Sequence, residues 1–119
     1  MRTIPTEIHG QKYVSLTTFR KNGVPVATPV WFAEFGNKLY VMTRWDSGKC
    51  KRLRNNPRAK VAPCTIRGKV TGAAFDAVVK ILQASDAPVG RRAIRAKYWL
   101  ARVPFIWRKN NVYLEVEFV

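Results

Sequence analysis

The sequence predicts a single mainly β domain with six antiparallel strands and two helices. Runs of β-branched and aromatic residues recur along the chain, separated by glycine and asparagine turn signals. Only two stretches combine a capping residue with a helical pattern. The chain has 119 residues, of which 47% are hydrophobic and 24% charged, so one globular domain spanning residues 1–119 is expected.

The first half of the chain predicts a three-stranded meander. Residues 13–19 form the first strand, and Asn22-Gly23 favours a tight hairpin turn because both residues tolerate positive φ. The second strand covers residues 25–35, and a third, residues 38–43, follows the turn signal Gly36-Asn37. Pro29 cannot donate a ladder hydrogen bond, so the second strand is an edge there, a bulge, or a place where another group, such as a ligand, approaches.

A short, very basic helix is predicted next. Asp46 or Ser47 can cap its start, and Asn56-Pro57 ends it. Strands over residues 59–64 and 69–82 follow, separated by a turn, with Gly72 marking a bend.

The end of the chain predicts one longer helix and one strand. The helix covers residues 85–102 and carries an apolar stripe at helical spacing. In the last strand, which follows residues 110–111, Leu114, Val116 and Phe118 alternate with polar residues.

The net charge of +15 indicates an anionic partner. Nucleic acid, an acidic membrane surface and a phosphorylated cofactor each fit that charge. The start of the chain has no apolar run like a signal peptide, and no stretch is long enough to span a bilayer. Cys50 and Cys64 are too few for a disulfide framework. We therefore expect a cytoplasmic protein whose membrane residence could only be peripheral, and a membrane is not an expected partner.

Metal and triad chemistry are not expected, because the chain has one histidine and two cysteines. No pairing of catalytic side chains stands out, so catalytic residues stay unassigned. If the protein is an enzyme, its reactive group is a bound cofactor.

The most informative segment runs from the third strand into the first helix. Thr43, Arg44, Ser47 and Gly48 lead into Lys49 and Arg52, two cations at i and i+3 near a capped helix N-terminus. Such an arrangement can bind phosphate. A solvated basic surface helix would show the same spacing, so the pattern by itself leaves both interpretations open.

Several motifs, taken together, resemble the split β-barrel flavin and deazaflavin oxidoreductases. More narrowly, the sequence is similar to the F420-dependent branch of the pyridoxamine 5'-phosphate oxidase-like proteins. The resemblance is specific over residues 13–72 and looser beyond. The segments that carry it are Thr17-Thr18-Phe19-Arg20-Lys21-Asn22-Gly23, Thr28-Pro29-Val30-Trp31, Ser47-Gly48-Lys49, Lys51-Arg52-Leu53-Arg54-Asn55-Asn56-Pro57, Ala62-Pro63-Cys64 and Arg67-Gly68-Lys69.

The resemblance implies an FMN-binding type of split barrel, six-stranded, that works as a homodimer with the cofactor in a cleft shared by the two protomers. It also implies three groups of cofactor-binding residues. The strand along the ring system would contain Thr28, Pro29, Val30 and Trp31. The phosphate segment would contain Thr43, Arg44, Ser47, Gly48, Lys49 and Arg52. The strand near the ring or ribityl chain would contain Ala62, Pro63 and Cys64.

The expected activity is hydride transfer between F420 and an unidentified small organic substrate. F420 carries a phosphodiester and a glutamate tail and needs a longer basic groove than FMN. The chain offers further cations for such a groove, namely Lys51, Arg54, Arg58, Lys60, Arg67 and Lys69.

Two alternatives stay open. One is an FMN-binding oxidoreductase of the same fold. The other is a non-catalytic basic module that binds cofactor or nucleic acid, although no nucleic-acid-binding motif is present and nucleic acid is not an expected partner.

Overall fold

Seven strands and one helix make up the part of the chain that the computed structural model describes, residues 3–82 and 111–119. In chain order, these elements are β1 (Tyr13–Phe19), β2 (Pro25–Trp31), β3 (Ala33–Phe35), β4 (Lys38–Arg44), α1 (Gly48–Asn55), β5 (Arg58–Pro63), β6 (Phe75–Leu82) and β7 (Asn111–Phe118). The mainly β class is confirmed. The second predicted helix lies outside the described residues.

All strands belong to one antiparallel sheet with the order β2-β1-β5-β6-β7-β4-β3. β2 and β3 lie at opposite edges, yet Phe32 alone separates them in the chain. Because a single residue spans only about 3.3 Å, the two edges must come close together at Phe32. β2 and β4 are indeed in contact. The sheet therefore curls into a split barrel, as expected.

The prediction of a continuous second strand over residues 25–35 was wrong, and the strand count is seven rather than six. β2 pairs with β1, whereas β3 pairs with β4. The chain changes partner at Phe32, whose side chain is fully buried. A break in hydrogen bonding is required where a chain leaves one sheet edge and joins the other, and local sequence carries no sign of it.

The predicted strand start at residue 69 was also wrong, because β6 begins at Phe75. Residues 64–70 instead form a small hairpin, in which Cys64 and Val70 make an isolated bridge. The Gly68 N–H donates to the Thr65 carbonyl oxygen at 2.9 Å, and Gly68 has φ +88°. Gly72 lies so close to Pro63 that an added Cβ would stand 2.8 Å from the proline Cγ.

The turn predictions are confirmed. Gly23 has φ 87°, and Gly36 and Asn37 have φ 58° and 69°, the left-handed conformations that tight hairpins require. The alternation in β7 is confirmed as well, since Leu114, Val116 and Phe118 are at most 1% exposed.

The core fills the interior of the curled sheet. It is made of the inward-facing residues of every strand from β1 to β7 except β3, together with Ile8, Phe32 and the two buried residues of α1, Cys50 and Leu53. Burial of Cys50 and Leu53 fixes α1 against β1 and β6. In the described ranges, no helix is long and apolar enough to cross a bilayer.

Candidate functional site

The N-terminus of α1 is capped by Ser47. Its backbone is extended, and its Oγ accepts a hydrogen bond from the Cys50 N–H at 3.3 Å. The Thr43 hydroxyl lies 3.4 Å from the same oxygen. Of the two caps that the sequence allowed, the structure has Ser47. One of the helix N–H groups is therefore already satisfied by the protein.

Asp46, the other candidate cap, pairs with Arg44 instead. Arg44 Nε and a terminal guanidinium nitrogen lie 3.1 and 3.2 Å from the two carboxylate oxygens of Asp46. Both side chains are more than half exposed, at 61% and 56%. Arg44 is thus a less available phosphate ligand than its position in the sequence suggested, because an anionic partner already occupies it.

Arg52 folds back over the first turn of α1. Its Nε donates to Thr18 Oγ1 at 2.6 Å, and Thr18 is fully buried on β1. A Cβ placed on Gly48 would lie 2.9 Å from Arg52 Nη1, so the guanidinium rests directly against that glycine. No carboxylate in the described part of the chain lies within ion-pair distance of Arg52.

Lys49 lies beside Arg52 and is half-buried. Burial is the main cause that lowers the pKa of its ammonium group; Cys50 acts in the opposite direction, and the positive charge of Arg52 lowers this pKa by a smaller amount. Two cations at i and i+3 repel each other. A bound anion near both groups would remove that repulsion.

The residues of β2 face two different environments. Thr28 and Val30 are cross-strand neighbours of Leu16 and Val14 and therefore point inward. Pro29 and Trp31 point outward: Trp31 is 46% exposed, and its ring centroid lies 6.3 Å from that of Tyr13.

Of the three explanations that the sequence left open for Pro29, the structure shows an edge strand, because β2 is the first strand of the sheet order. The group that approaches this proline within the chain is the turn of the 64–70 hairpin. A Cβ on Gly68 would lie 3.5 Å from Pro29 Cγ.

Ala62, Pro63 and Cys64 lie at the opposite end of β1 from Thr18. Ala62 and Pro63 pair with Ser15 and Val14. Cys64 is buried, and burial raises the pKa of its thiol, which argues against a nucleophilic role.

Within one chain, the predicted site residues therefore form two sets. The helix set consists of Thr43, Arg44, Ser47, Gly48, Lys49 and Arg52, and the sheet set of Thr28, Pro29, Val30, Trp31, Ala62, Pro63 and Cys64. Thr18 lies beside the helix set; along β1, it is two residues, or about 7 Å, from Leu16, the partner of Thr28, and four residues, or about 13 Å, from Val14, the partner of Val30 and Pro63. The assignment of both sets to a cofactor stays a prediction.

Two cavities lie elsewhere on the described surface, and none of the predicted site residues lines either of them. One has a volume of about 420 Å³ and lies over β5 and β6, next to Phe19 and Arg58. The other, of about 280 Å³, lies between the N-terminal segment and β6.

Sequence reasoning missed Thr18 and the role of Trp45. The ring of Trp45 lies 4.2 Å from the guanidinium carbon of Arg54, and Arg54 Nη1 donates to the Trp45 carbonyl oxygen at 2.9 Å. The contact between Trp45 and Arg54 is local, because the two residues are nine positions apart across the start of α1, and sequence analysis could have suggested it. The Thr18 contact joins residues 34 apart, and no local signal points to it.

Comparison with known proteins agrees with the resemblance seen in the sequence. The pyridoxamine 5'-phosphate oxidase family model matches residues 2–114. No curated protein sequence matches the chain.

Three solved structures illustrate the structural likeness. The heme storage protein HutZ from Vibrio cholerae has a TM-score of 0.73 at 13% identity, covering 92% of this chain and 83% of its own. A pyridoxamine 5'-phosphate oxidase-related, FMN-binding protein from Nostoc punctiforme has a TM-score of 0.67 at 18% identity, with coverages of 91% and 71%. An F420 reductase has a TM-score of 0.65 at 16% identity, with coverages of 98% and 96%. At these identities, the likeness shows the fold alone.

Proposed function

The chain belongs to the pyridoxamine 5'-phosphate oxidase family, and we propose that it is an F420-dependent oxidoreductase acting on a small organic substrate. The observation that carries the proposal is the arrangement at the start of α1. A guanidinium and an ammonium group, Arg52 and Lys49, lie next to a serine-capped helix N-terminus, and neither has a carboxylate partner in the described ranges.

This arrangement fits a phosphate-bearing cofactor. Helix N–H groups and the helix dipole favour an anion, and each charge-assisted hydrogen bond contributes about 1.5 to 3 kcal/mol. The capping serine and the two cations would hold the phosphate, and the cofactor would supply the hydride chemistry. The chain's own part is to bind, orient and shield the cofactor.

F420 is favoured over FMN because basic side chains extend beyond the helix set. Of the six cations named for such a groove, four have neither a carboxylate partner in the described part of the chain nor the tryptophan contact that holds Arg54: Lys51, Arg58, Arg67 and Lys69. They would match the negative charges of a glutamate tail. Lys60 contributes less, since it lies 4.0 Å from Asp76. FMN stays the alternative, and one structurally similar protein is FMN-binding.

We also propose a homodimer with the cofactor in a cleft between protomers. Large apolar side chains are exposed around the outer face of β2 and the 64–70 hairpin. They are Trp31 at 46%, Ile66 at 66% and Val70 at 51%. Apolar patches of this kind mark interaction surfaces. A second protomer on this face would also explain how the separate helix and sheet sets can serve one cofactor.

The testing experiment is the absorption spectrum and mass of the material that stays bound after purification, followed by titration of F420, FMN and heme into the empty protein. F420 as the tightest ligand supports the proposal. FMN as the tightest ligand favours the alternative oxidoreductase. Heme as the tightest ligand, or duplex nucleic acid bound more tightly than any cofactor at physiological salt, contradicts the proposal. Reduced F420 that binds but transfers no hydride to a panel of unsaturated acceptors would favour storage of the cofactor.

The cytoplasmic location stays a prediction, which fractionation of the source cells would test.

A further inference from the structure

We propose that Thr18 is a positioning residue for cofactor binding, which acts by holding the Arg52 guanidinium over the first turn of α1. Gly48 contributes because it has no side chain, which leaves room for the guanidinium at this place. The inference rests on the proposed function, because it assumes that a phosphate of the cofactor lies at this helix start.

The first contact fixes one side of the guanidinium. Thr18 lies on the inner face of β1 and has 0% exposure, so its hydroxyl is a rigid acceptor held by the sheet. Arg52 Nε donates to it at 2.6 Å. Since Nε binds Thr18, the two terminal nitrogens of the guanidinium are not needed for this contact. In the described chain, neither of them has a hydrogen-bond acceptor, and both are available to an anion.

The second contact fixes where those terminal nitrogens lie. An added Cβ on Gly48 would be 2.9 Å from Arg52 Nη1 and 3.7 Å from its guanidinium carbon. The fork therefore sits on the backbone of the residue that follows the cap Ser47. Any side chain at position 48 would push the flexible end of Arg52 aside without disturbing the backbone.

Together, the two contacts order a long side chain before the ligand arrives. Arginine loses much rotamer freedom when it is immobilised on a ligand, and this loss weakens binding. In this fold, the loss occurs during folding, because β1 and α1 are both fixed by the core. Arg52 should therefore bind phosphate more tightly than an unrestrained arginine on the same helix would.

The test compares FMN with riboflavin, which lacks the phosphate, by quenching of flavin fluorescence. Thr18→Val keeps the shape of the side chain but removes the acceptor, and we expect FMN affinity to fall about three- to tenfold. Riboflavin affinity should not change. Thr18→Ser, which keeps a hydroxyl, should bind FMN about as tightly as the native chain does. Gly48→Ala should weaken FMN binding to a similar degree without lowering the melting temperature, because alanine is the better helix residue.

A double-mutant cycle with Arg52→Met shows whether Thr18 acts through Arg52. Once Arg52 is gone, Thr18→Val should have no further effect on FMN affinity. Independently of any cofactor, the Arg52 Nε–H resonance of the ¹⁵N-labelled protein should exchange slowly in the native chain and in Thr18→Ser, and rapidly in Thr18→Val.

Three results would overturn the inference alone: equal loss of FMN and riboflavin affinity in Thr18→Val, additive effects in the cycle, or a rapidly exchanging Arg52 resonance in the native chain. Native protein that binds neither FMN nor F420 would overturn the proposed function and the phosphate-binding role of Thr18 with it. A slowly exchanging Arg52 resonance would, in that case, reduce the Thr18 contact to a structural one.

Discussion

Arg54 is joined to Trp45 at two points, with its guanidinium carbon 4.2 Å from the ring centroid and its Nη1 2.9 Å from the carbonyl oxygen. The sequence placed Arg54 together with Lys51 as free charges for a long anionic ligand. The structure shows that Arg54 is directed to its tryptophan, whereas Lys51 is exposed and has no ion-pair partner in the described ranges.

The first prediction follows from this difference. F420 affinity should fall as ionic strength rises to about 0.5 M, because screening shortens the Debye length to a few Å. FMN, which has fewer charges, should show a shallower dependence. Lys51→Ala should flatten the F420 dependence more than Arg54→Ala does, and isothermal titration at several salt concentrations measures both. Equal slopes for F420 and FMN in the native chain would assign the basic surface to another partner.

The second prediction concerns Lys49→Met and cofactor affinity. Removing this ammonium should weaken F420 or FMN binding by about 1.5 to 3 kcal/mol, or roughly ten- to a hundredfold. Lys51→Met, on the same helix but exposed, is the matched control and should change FMN affinity much less. Unchanged dissociation constants for both cofactors in Lys49→Met would remove the phosphate interpretation of α1.

Lys49→Met also yields a third prediction, on the stability of the empty protein. Burial lowers the pKa of Lys49 from 10.5, so the unfolded chain holds this proton more tightly than the folded one. The charged form therefore destabilises the fold at every pH below the lowered value, and this effect fades as pH rises to 10.5. Lys49→Met should be more stable than the native chain at pH 7, and the difference should shrink as pH rises toward 10.5. Urea unfolding of both proteins across this pH range measures the difference in stability. A difference that grows with pH would contradict a lowered pKa of Lys49.

The fourth prediction concerns Tyr40, which is buried on the outer face of β4. Its hydroxyl donates to Glu115 Oε2 at 3.0 Å, while Lys38 Nζ lies 3.2 Å from Glu115 Oε1. Burial raises the pKa of Tyr40 well above 10.0, and the hydrogen bond to Glu115 and the negative charge of this carboxylate add to the shift.

The folded state therefore keeps the Tyr40 proton where the unfolded state loses it. The stability that this provides is complete below pH 10.0 and is lost as pH rises further. Tyr40→Phe should be about 1 kcal/mol less stable at pH 7, because Glu115 loses a donor. Its stability should also fall less steeply than that of the native chain above pH 10. Urea unfolding of both proteins tests this, and parallel curves above pH 10 would exclude Tyr40 as the titrating group.

The fifth prediction is the assembly. Sedimentation at micromolar concentration should give twice the chain mass of 13.6 kDa. Ile66→Asp combined with Val70→Asp should produce monomers and weaken cofactor binding. Val78→Asp introduces the same charge at an exposed apolar residue of β6 and should leave the dimer intact. A native monomer that still binds cofactor would contradict the shared cleft.

Local features of the sequence determined where most elements lie. The hairpin at residues 22–23 and the Gly36-Asn37 turn need left-handed backbone, which glycine and asparagine adopt at low cost. Ser47 could be expected at the helix start because its hydroxyl satisfies an N–H that the helix leaves free. The spacing of Lys49 and Arg52 near the helix cap indicated a possible phosphate site, and the family resemblance supplied the barrel and the cofactor residues of the sheet set, which no periodicity could supply.

Tertiary structure alone decided which distant residues meet. The break at Phe32 depends on two sheet edges that close on each other, and the pairing of Thr18 with Arg52 depends on α1 packing against β1. The same holds for the 64–70 hairpin, which turns back on Pro29 rather than extending β6. Propensity and turn chemistry act between neighbours in the chain. Contacts between residues tens of positions apart are selected by burial of the common core, which exists only once the sheet has curled.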